Sequence, residues 1–497
     1  MQKILSGVGQ MLHVPGIMAL LSLPLALGFG EDEGAWAFGL TAVASLVPGQ
    51  LLYRQYRKEQ DTLGIMQIML VATLGWATVS LMGAIPFYFH AFQLSPSQIS
   101  EHALSPFLSF YNSFFESLSG YTSTGLTMTI AESKLPHSLQ WWRTFTQWIG
   151  GIGIIVFISA FHPGLLAVSS HYQKGSEEES MPTVSLNWRK IWWIYIILTL
   201  ISILALWLQR LPLWEAINHG MTGICTGGFT ILDRSLTTYS VPHKLTVIAI
   251  MVIGSLNFNL YHFLFTRGDW RRFITNQQHI VFFALLLLGS LVLYYENVVW
   301  FGYDTSWVDT GFQLVSGLGT CGFQTVELNS WSSTSLIFLG LMMLIGGPTA
   351  STTGGIKIFR FMLFLKGNIY NSMFWIYHQE PKFRFRFKGK SHSHDEALKL
   401  YRTTGTFIFF WVTFYSLMTY VLIHNVPDTF SLGEIAFESA SAMGSVGLSV
   451  GITGHELNWI AKTDLMLSML VGRMELIPII IIVSSLIKKK VDRKHEA

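Results

Sequence analysis

Four short stretches of the chain place a hydroxyl side chain two residues ahead of a glycine. They are Ser123-Thr124-Gly125, Thr226-Gly227-Gly228, Thr320-Cys321-Gly322 and Ser445-Val446-Gly447, each followed by Leu or Phe. Aligned on the shared glycine, they agree further upstream. Ser119, Thr222, Ser316 and Ser441 stand four residues before the first hydroxyl, with Gly120, Gly223, Gly317 and Ala442 next to them. Glycine opens backbone angles closed to other residues, so a loop can turn its carbonyls inward. A dehydrated potassium ion needs a cage of such oxygens, and four backbone loops around one axis supply it. All twelve residues are therefore assigned to an ion path. A short helix before each loop would aim its negative C-terminal end at the cation.

Seven residues ahead of each hydroxyl lie Glu116, His219, Gln313 and Glu438. They either steer cations or brace the loops through hydrogen bonds. Bracing is preferred, because buried charge is costly unless it is paired.

The elements that must hold these loops are apolar. Of the 497 residues, 51% are hydrophobic and 12% charged, against about 25% charged in soluble proteins, and the mean hydropathy is +0.43. This is the composition of an integral membrane protein, and nothing in it suggests nucleic-acid readout. Apolar runs over 12–30 and 34–53 approach the ~20 residues a spanning helix needs. The first is expected to be retained rather than cleaved as a signal, since it leads straight into further spans. A recurring order then follows: outer helix, short segment with loop, inner helix. It runs 64–90, 107–129 and 141–165; then 190–209, 213–230 and 243–265; then 278–296, 308–325 and 335–365; and finally 402–424, 433–450 and 464–487. The short segments cannot cross, and non-helical backbone at membrane depth is tolerated only inside protein or beside a wet cavity. The expected fold is thus all-α and membrane-integral, with four tandem helix–pore loop–helix repeats in pseudo-fourfold array around one pore, plus an N-terminal helix pair. The expected units are 1–60, 61–170, 171–277, 278–400 and 401–497.

Charge placement gives a topology. With both termini in the cytoplasm, 25 of the 32 Lys and Arg fall inside, six (Lys134, Arg143, Arg210, Arg234, Lys244 and Lys462) outside, and Arg473 within a helix. That bias follows the positive-inside rule and puts all four loops on the outer side. Lys174–Ser180 and Lys382–Lys388 read as cytoplasmic loops, though the basic–aromatic alternation of the second would also suit an edge strand or a membrane-surface strip, and His392 and His394 read as part of that loop rather than a metal site. Cys225 and Cys321 read as free thiols, because they sit at different offsets in their loops.

The third inner helix contains Gly346, Gly347, Pro348, Thr349, Ala350, Ser351, Thr352, Thr353, Gly354 and Gly355. Five helix breakers in ten residues predict an unwound segment below the loops. Gly150, Gly151 and Gly153 on the first inner helix read as close packing. Arg473 on the fourth, with Glu475 near, is a functional candidate because intramembrane arginine is expensive.

Together, Ser119–Gly125, Gln147–Ile154, the 346–355 segment and Gly472-Arg473-Met474-Glu475 resemble motifs of the Trk/Ktr/HKT superfamily of potassium transporters. The likeness covers nearly everything after residue 60. The N-terminal helix pair resembles the bacterial TrkH/TrkG branch more than the shorter KtrB branch. The resemblance implies potassium as the transported ion, a bacterial inner-membrane location, a homodimer with one pore per subunit, and a cytoplasmic TrkA-like ring. Any nucleotide would sit on that partner ring alone. It also implies gate roles for residues 346–355 and for Arg473. The second repeat departs from the pattern, with His219 where the first and last repeats have Glu.

Two other classes compete. An alternating-access carrier coupled to sodium or protons would show inverted repeats, whereas these four share one orientation. A membrane enzyme would need a catalytic constellation, whereas Glu116, His219 and Glu438 occupy equivalent repeat positions.

Overall fold

The computed structural model describes residues 2–56, 65–93, 103–161, 188–377, 385–387, 390–392, 394–474 and 476. The fold is all-α apart from one small antiparallel hairpin, in which Phe385 pairs with His392. Two N-terminal helices, Gln2–Gly28 and Asp32–Tyr56, pack along each other, and the first of them also lies on the outer helix of repeat one.

The pore helices are Phe110–Tyr121, Leu213–Ile224, Trp307–Leu318 and Leu432–Gly444. Local chemistry starts two of them. Ser306 accepts the Asp309 amide, and Ser431 forms a reciprocal capping box with Glu434, satisfying amides that a helix start leaves unpaired. The inner helices begin at His137, Val241, Ser333 and Trp459. Each packs against the pore helix of its own repeat and against that of the next one, and the fourth closes on the first. The repeats therefore form a ring of four around one axis.

A glycine lies thirteen residues after the start of every inner helix, at Gly150, Gly254, Gly346 and Gly472. A β-carbon at Gly150, Gly254 or Gly472 would strike the carbonyl of Tyr121, Ile224 or Met443, the residue two before the loop hydroxyl of the same repeat. These glycines let each inner helix seat directly beneath its pore helix. At Gly346 the helix stops instead.

Six helices among the described residues are long and apolar enough to span a membrane on their own. These six are the N-terminal pair and the four outer helices, and two of the inner helices are broken. The second, expected to run unbroken over 243–265, divides into Val241–Ser255 and Phe258–Arg267 with a 95° bend. Asn257 causes the break: its side chain caps the new helix through the Asn259 amide, and the Phe258 amide is taken by the carbonyl of Ala350. The third divides into Ser333–Ile345 and Ile358–Tyr377, with the intervening strand of chain passing under the loops. The fourth is described as far as Arg473.

Candidate pore and gate

Each pore helix ends in the same way. Ser123 and Thr124 donate their amides to the carbonyls of Gly120 and Ser119, at 2.8 and 2.9 Å. The pairs Thr226/Gly227, Thr320/Cys321 and Ser445/Val446 repeat this on Gly223/Thr222, Gly317/Ser316 and Ala442/Ser441. This is a Schellman closure, which needs a left-handed residue after the helix. Ser123, Thr226, Thr320 and Ser445 take that role, with φ between 48° and 53°. That conformation is uncommon for residues with a β-carbon, so its fourfold recurrence reflects a common design. Both amides are spent on the helix, which leaves the loop carbonyls to other uses.

Gly125, Gly228, Gly322 and Gly447 follow at φ of 101°, 77°, 89° and 97°. They also close the ring. A β-carbon on Gly125 would strike the Gly227 oxygen, one on Gly228 the Cys321 oxygen, one on Gly322 the Val446 oxygen, and one on Gly447 the Thr124 oxygen. The contacts run from repeat one to two, two to three, three to four, and four back to one. Eight of the twelve residues assigned to an ion path, the four glycines and the residue before each, thus meet in one closed, head-to-tail ring.

The hydroxyls do not all turn toward that ring. Ser123 donates to the Gln147 carbonyl at 3.1 Å, Thr226 donates to Thr352 at 3.0 Å, and Thr320 accepts the Gly354 amide at 2.8 Å. The Ser445 hydroxyl has no hydrogen-bond partner among the described residues. Three of the four therefore tie the ring to what lies next to it. Cys225 and Cys321 are buried free thiols.

The residues seven positions upstream all contact the descending limb of their own loops. The Glu116 carboxylate accepts from Thr127 at 2.9 Å, from the Met128 amide at 2.8 Å and from Arg143 Nε at 2.8 Å. Glu438 accepts from Ser449 at 2.7 Å, the Val450 amide at 3.1 Å and both groups of Thr453. His219 Nε2 faces the Ile231 amide at 3.4 Å and its Nδ1 the Tyr239 hydroxyl at 2.7 Å. Gln313 donates to Thr325 at 3.2 Å. Arg143, counted among the outside charges, is buried. It pairs with Glu116, donates to the Thr230 carbonyl at 2.8 Å and lies 4.3 Å from the centre of the Phe229 ring.

Above the ring opens a cavity lined by all four glycines, by Arg143 and Arg234, and by Glu132, Asp233 and Glu327. Burial pushes the Glu132 carboxyl up to about 7; nearby Arg143 opposes that shift, while Glu116 and Asp233 add to it.

Residues 346–355 cross directly below. Thr352 donates to the Gly254 carbonyl at 3.0 Å, and Thr349 donates to Gln278 through both its amide and its hydroxyl. A β-carbon on Gly354 would strike the Gly444 carbonyl. Arg473 is 3% exposed. It grips the segment at the Thr352 carbonyl (2.8 Å) and the first inner helix at the carbonyls of Gly150 (2.7 Å) and Gly151 (2.9 Å). Its expected neighbour Glu475 lies outside the described residues, as do Lys174–Ser180. Lys357, placed by charge counting with the inside segments, is buried, and its ammonium donates to Thr353. No group of three or more His, Cys, Asp or Glu residues that could hold a metal occurs among the described residues.

Gln147 escaped the sequence reading as a site residue. It is fully buried beside loops one and two. Its side chain donates to the Gly227 carbonyl and accepts the Phe229 amide at 2.9 Å. The signal was present in the motif that begins at Gln147, yet nothing in a single sequence marks which residue of that motif reaches the ring.

A solved potassium transporter TrkH from Vibrio parahaemolyticus has the same fold, with a TM-score of 0.83 over 97% of this chain and 98% of that one, at 24% identity. A Trk system potassium uptake protein TrkH of Escherichia coli is 29% identical over 94% of both chains. An uncharacterized cation transporter of Methanocaldococcus jannaschii is 28% identical over 98% of this chain and 96% of its own length. The family model for TrkH, described as a cation transport protein, matches residues 63–491. The chain belongs to the TrkH family of cation transport proteins.

Proposed function

We propose that this protein takes up potassium across a prokaryotic plasma membrane, the inner membrane in a bacterium, with potassium passing through the ring of Gly125, Gly228, Gly322 and Gly447. The observation that carries the reading is the head-to-tail closure of the four loops. In it, each glycine lies against the neighbouring loop's carbonyl, so one narrow, oxygen-lined opening results. Carbonyl dipoles held at fixed spacing replace the hydration shell of one cation size better than another. Membership of a transport family sets aside the membrane-enzyme reading, and four repeats in one orientation speak against an inverted-repeat carrier.

Glu116, His219, Gln313 and Glu438 brace the outer limbs of the loops. Residues 346–355 and Arg473 form the gate beneath. The segment is bonded to Thr226 and Thr320 on one side and to Arg473 on the other. A cation within 4 Å of that guanidinium would meet about 4 kcal/mol of repulsion at an effective dielectric near 20. Moving the segment and Arg473 together would clear both obstacles.

The relatives' names place them in a Trk system, and the resemblance extends that system to a homodimer docked on a cytoplasmic TrkA-like nucleotide-binding ring. Both termini face the cytoplasm in this reading, which keeps the glycine ring toward the outside. Rubidium flux into liposomes holding only this purified protein tests the reading. Accumulation driven by a potassium gradient supports it, and a strict need for sodium or a proton gradient favours a coupled carrier.

A further inference from the structure

The four loops are not equivalent in what holds their glycines. In loops one and four, the pore helix supplies a side-chain tie. Ser119 accepts the Gly125 amide at 3.1 Å, and Ser441 accepts the Gly447 amide at 3.0 Å. In loop two the matching hydroxyl is engaged elsewhere, since Thr222 donates to the Asn218 carbonyl at 3.0 Å. The middle residue of that loop is Gly227, so the backbone there has no side chain to limit it.

Gln147 occupies the space. It comes from the inner helix of repeat one, not from repeat two. Its amide nitrogen donates to the carbonyl of Gly227, and its amide oxygen accepts from Phe229, so one planar group clamps both sides of Gly228. The same residue's main-chain oxygen accepts the Ser123 hydroxyl of loop one. Among the described residues, Gly227 is the one member of the ring's four middle carbonyls that accepts a side-chain N–H.

Resting on the potassium-ring reading, we propose that Gln147 is a positioning residue for ion selectivity. It holds the Gly227 carbonyl at the distance a potassium ion needs and makes loop two as stiff as loops one and four. The clamp requires a donor and an acceptor on one side chain, which glutamine has and glutamate lacks when ionised.

The experiment reconstitutes the full chain as wild type, Gln147→Glu, Gln147→Met and Gly125→Ser. It measures rubidium influx against increasing potassium or sodium as competitors, with the melting temperature of each protein as the folding control. Loss of one such hydrogen bond changes relative ion binding by about tenfold. The expected result is a potassium-to-sodium competition ratio lower by about tenfold in Gln147→Glu. Gln147→Met, of similar length but unable to donate and only a weak acceptor, is expected to fall comparably. A purely structural role would lower total flux and melting temperature while leaving the ratio alone. If Gly125→Ser loses selectivity while a folded Gln147 variant keeps the wild-type ratio, the proposal is overturned and the ring reading survives. If every variant keeps the ratio, the ring reading falls and takes this proposal with it.

Discussion

Arg473 donates one arm of its guanidinium to the carbonyl of Thr352 at 2.8 Å, and the other arm to Gly150 and Gly151. Thr352 in turn is bonded to Thr226 at the base of loop two. Two residues 121 positions apart thus link the inner helices of repeats one and four to the underside of the ring, through a segment that has no helix of its own.

That link sets the outcome of changing Arg473. Arg473→Ala is expected to raise basal rubidium uptake by about tenfold or more, since it removes charge-assisted bonds of about 1.5–3 kcal/mol each. The potassium-to-sodium ratio is expected to stay unchanged, because the ring is untouched. Arg473→Lys keeps the charge but cannot reproduce the two-armed grip, so an intermediate uptake is expected. Uptake equal to wild type in a folded Arg473→Ala protein would remove the arginine from the gate.

Shortening the segment under the ring is expected to act in the same direction. Deleting Ala350–Thr353 removes the contacts to Thr226 and Arg473 together. Basal uptake is expected to rise severalfold in liposomes, with selectivity retained. Unchanged uptake would make the segment a structural bend.

The cavity above the ring predicts a pH dependence. Glu132 is half-buried beside Asp233 and Arg143, and burial raises its carboxyl to about 7. A raised carboxyl binds a proton in the folded state where the unfolded chain does not. It therefore lowers stability as pH climbs from about 4.5 to 7, and the same titration gives the mouth one more negative charge above pH 7. Apparent affinity for rubidium is expected to weaken by about twofold as external pH falls from 8 to 6, the size of a single charge acting through water over several ångströms. Glu132→Gln is expected to show the weaker affinity at both values. An unaltered pH profile in that variant would contradict the assignment.

The buried pair of Glu116 and Arg143 predicts a cost in stability. Both side chains are nearly inaccessible and 2.8 Å apart. Glu116→Gln leaves a buried guanidinium without its carboxylate, which costs about 3–5 kcal/mol in comparable cases. A drop in melting temperature larger than that of Gln313→Ala is expected in thermal unfolding, since among the described residues Gln313 makes one bond to its loop. Equal effects would show that the ion pair contributes nothing beyond an ordinary hydrogen bond.

Much of the site was legible because pseudo-symmetry writes each requirement four times. The hydroxyl at 123, the glycine at 125 and the small residue at 120 each have three further copies. A pattern kept in register at several positions separates backbone need from chance. The unwound segment was legible from its five breakers. What stayed hidden occurs once. Gln147 reaches into another repeat's loop, and nothing in the charge count marked Arg143 as the partner of Glu116. Lys357 sat beside a basic run and counted with it, although the chain turns it back beneath the ring. The break before Phe258 was hidden for another reason: Asn257 caps a helix whose first amide is claimed by Ala350, far away in sequence.

The central claim is that glycine at four ring positions gives potassium selectivity. Gly125 sits at φ 101°, with the Gly227 oxygen where a β-carbon would go. Serine there must push loop two aside or rotate loop one. The decisive measurement is the reversal potential between potassium and sodium solutions across a bilayer holding wild-type or Gly125→Ser protein. The account predicts a potassium-selective potential for wild type that shifts toward sodium in the variant. The same potassium-to-sodium permeability ratio in both would contradict it.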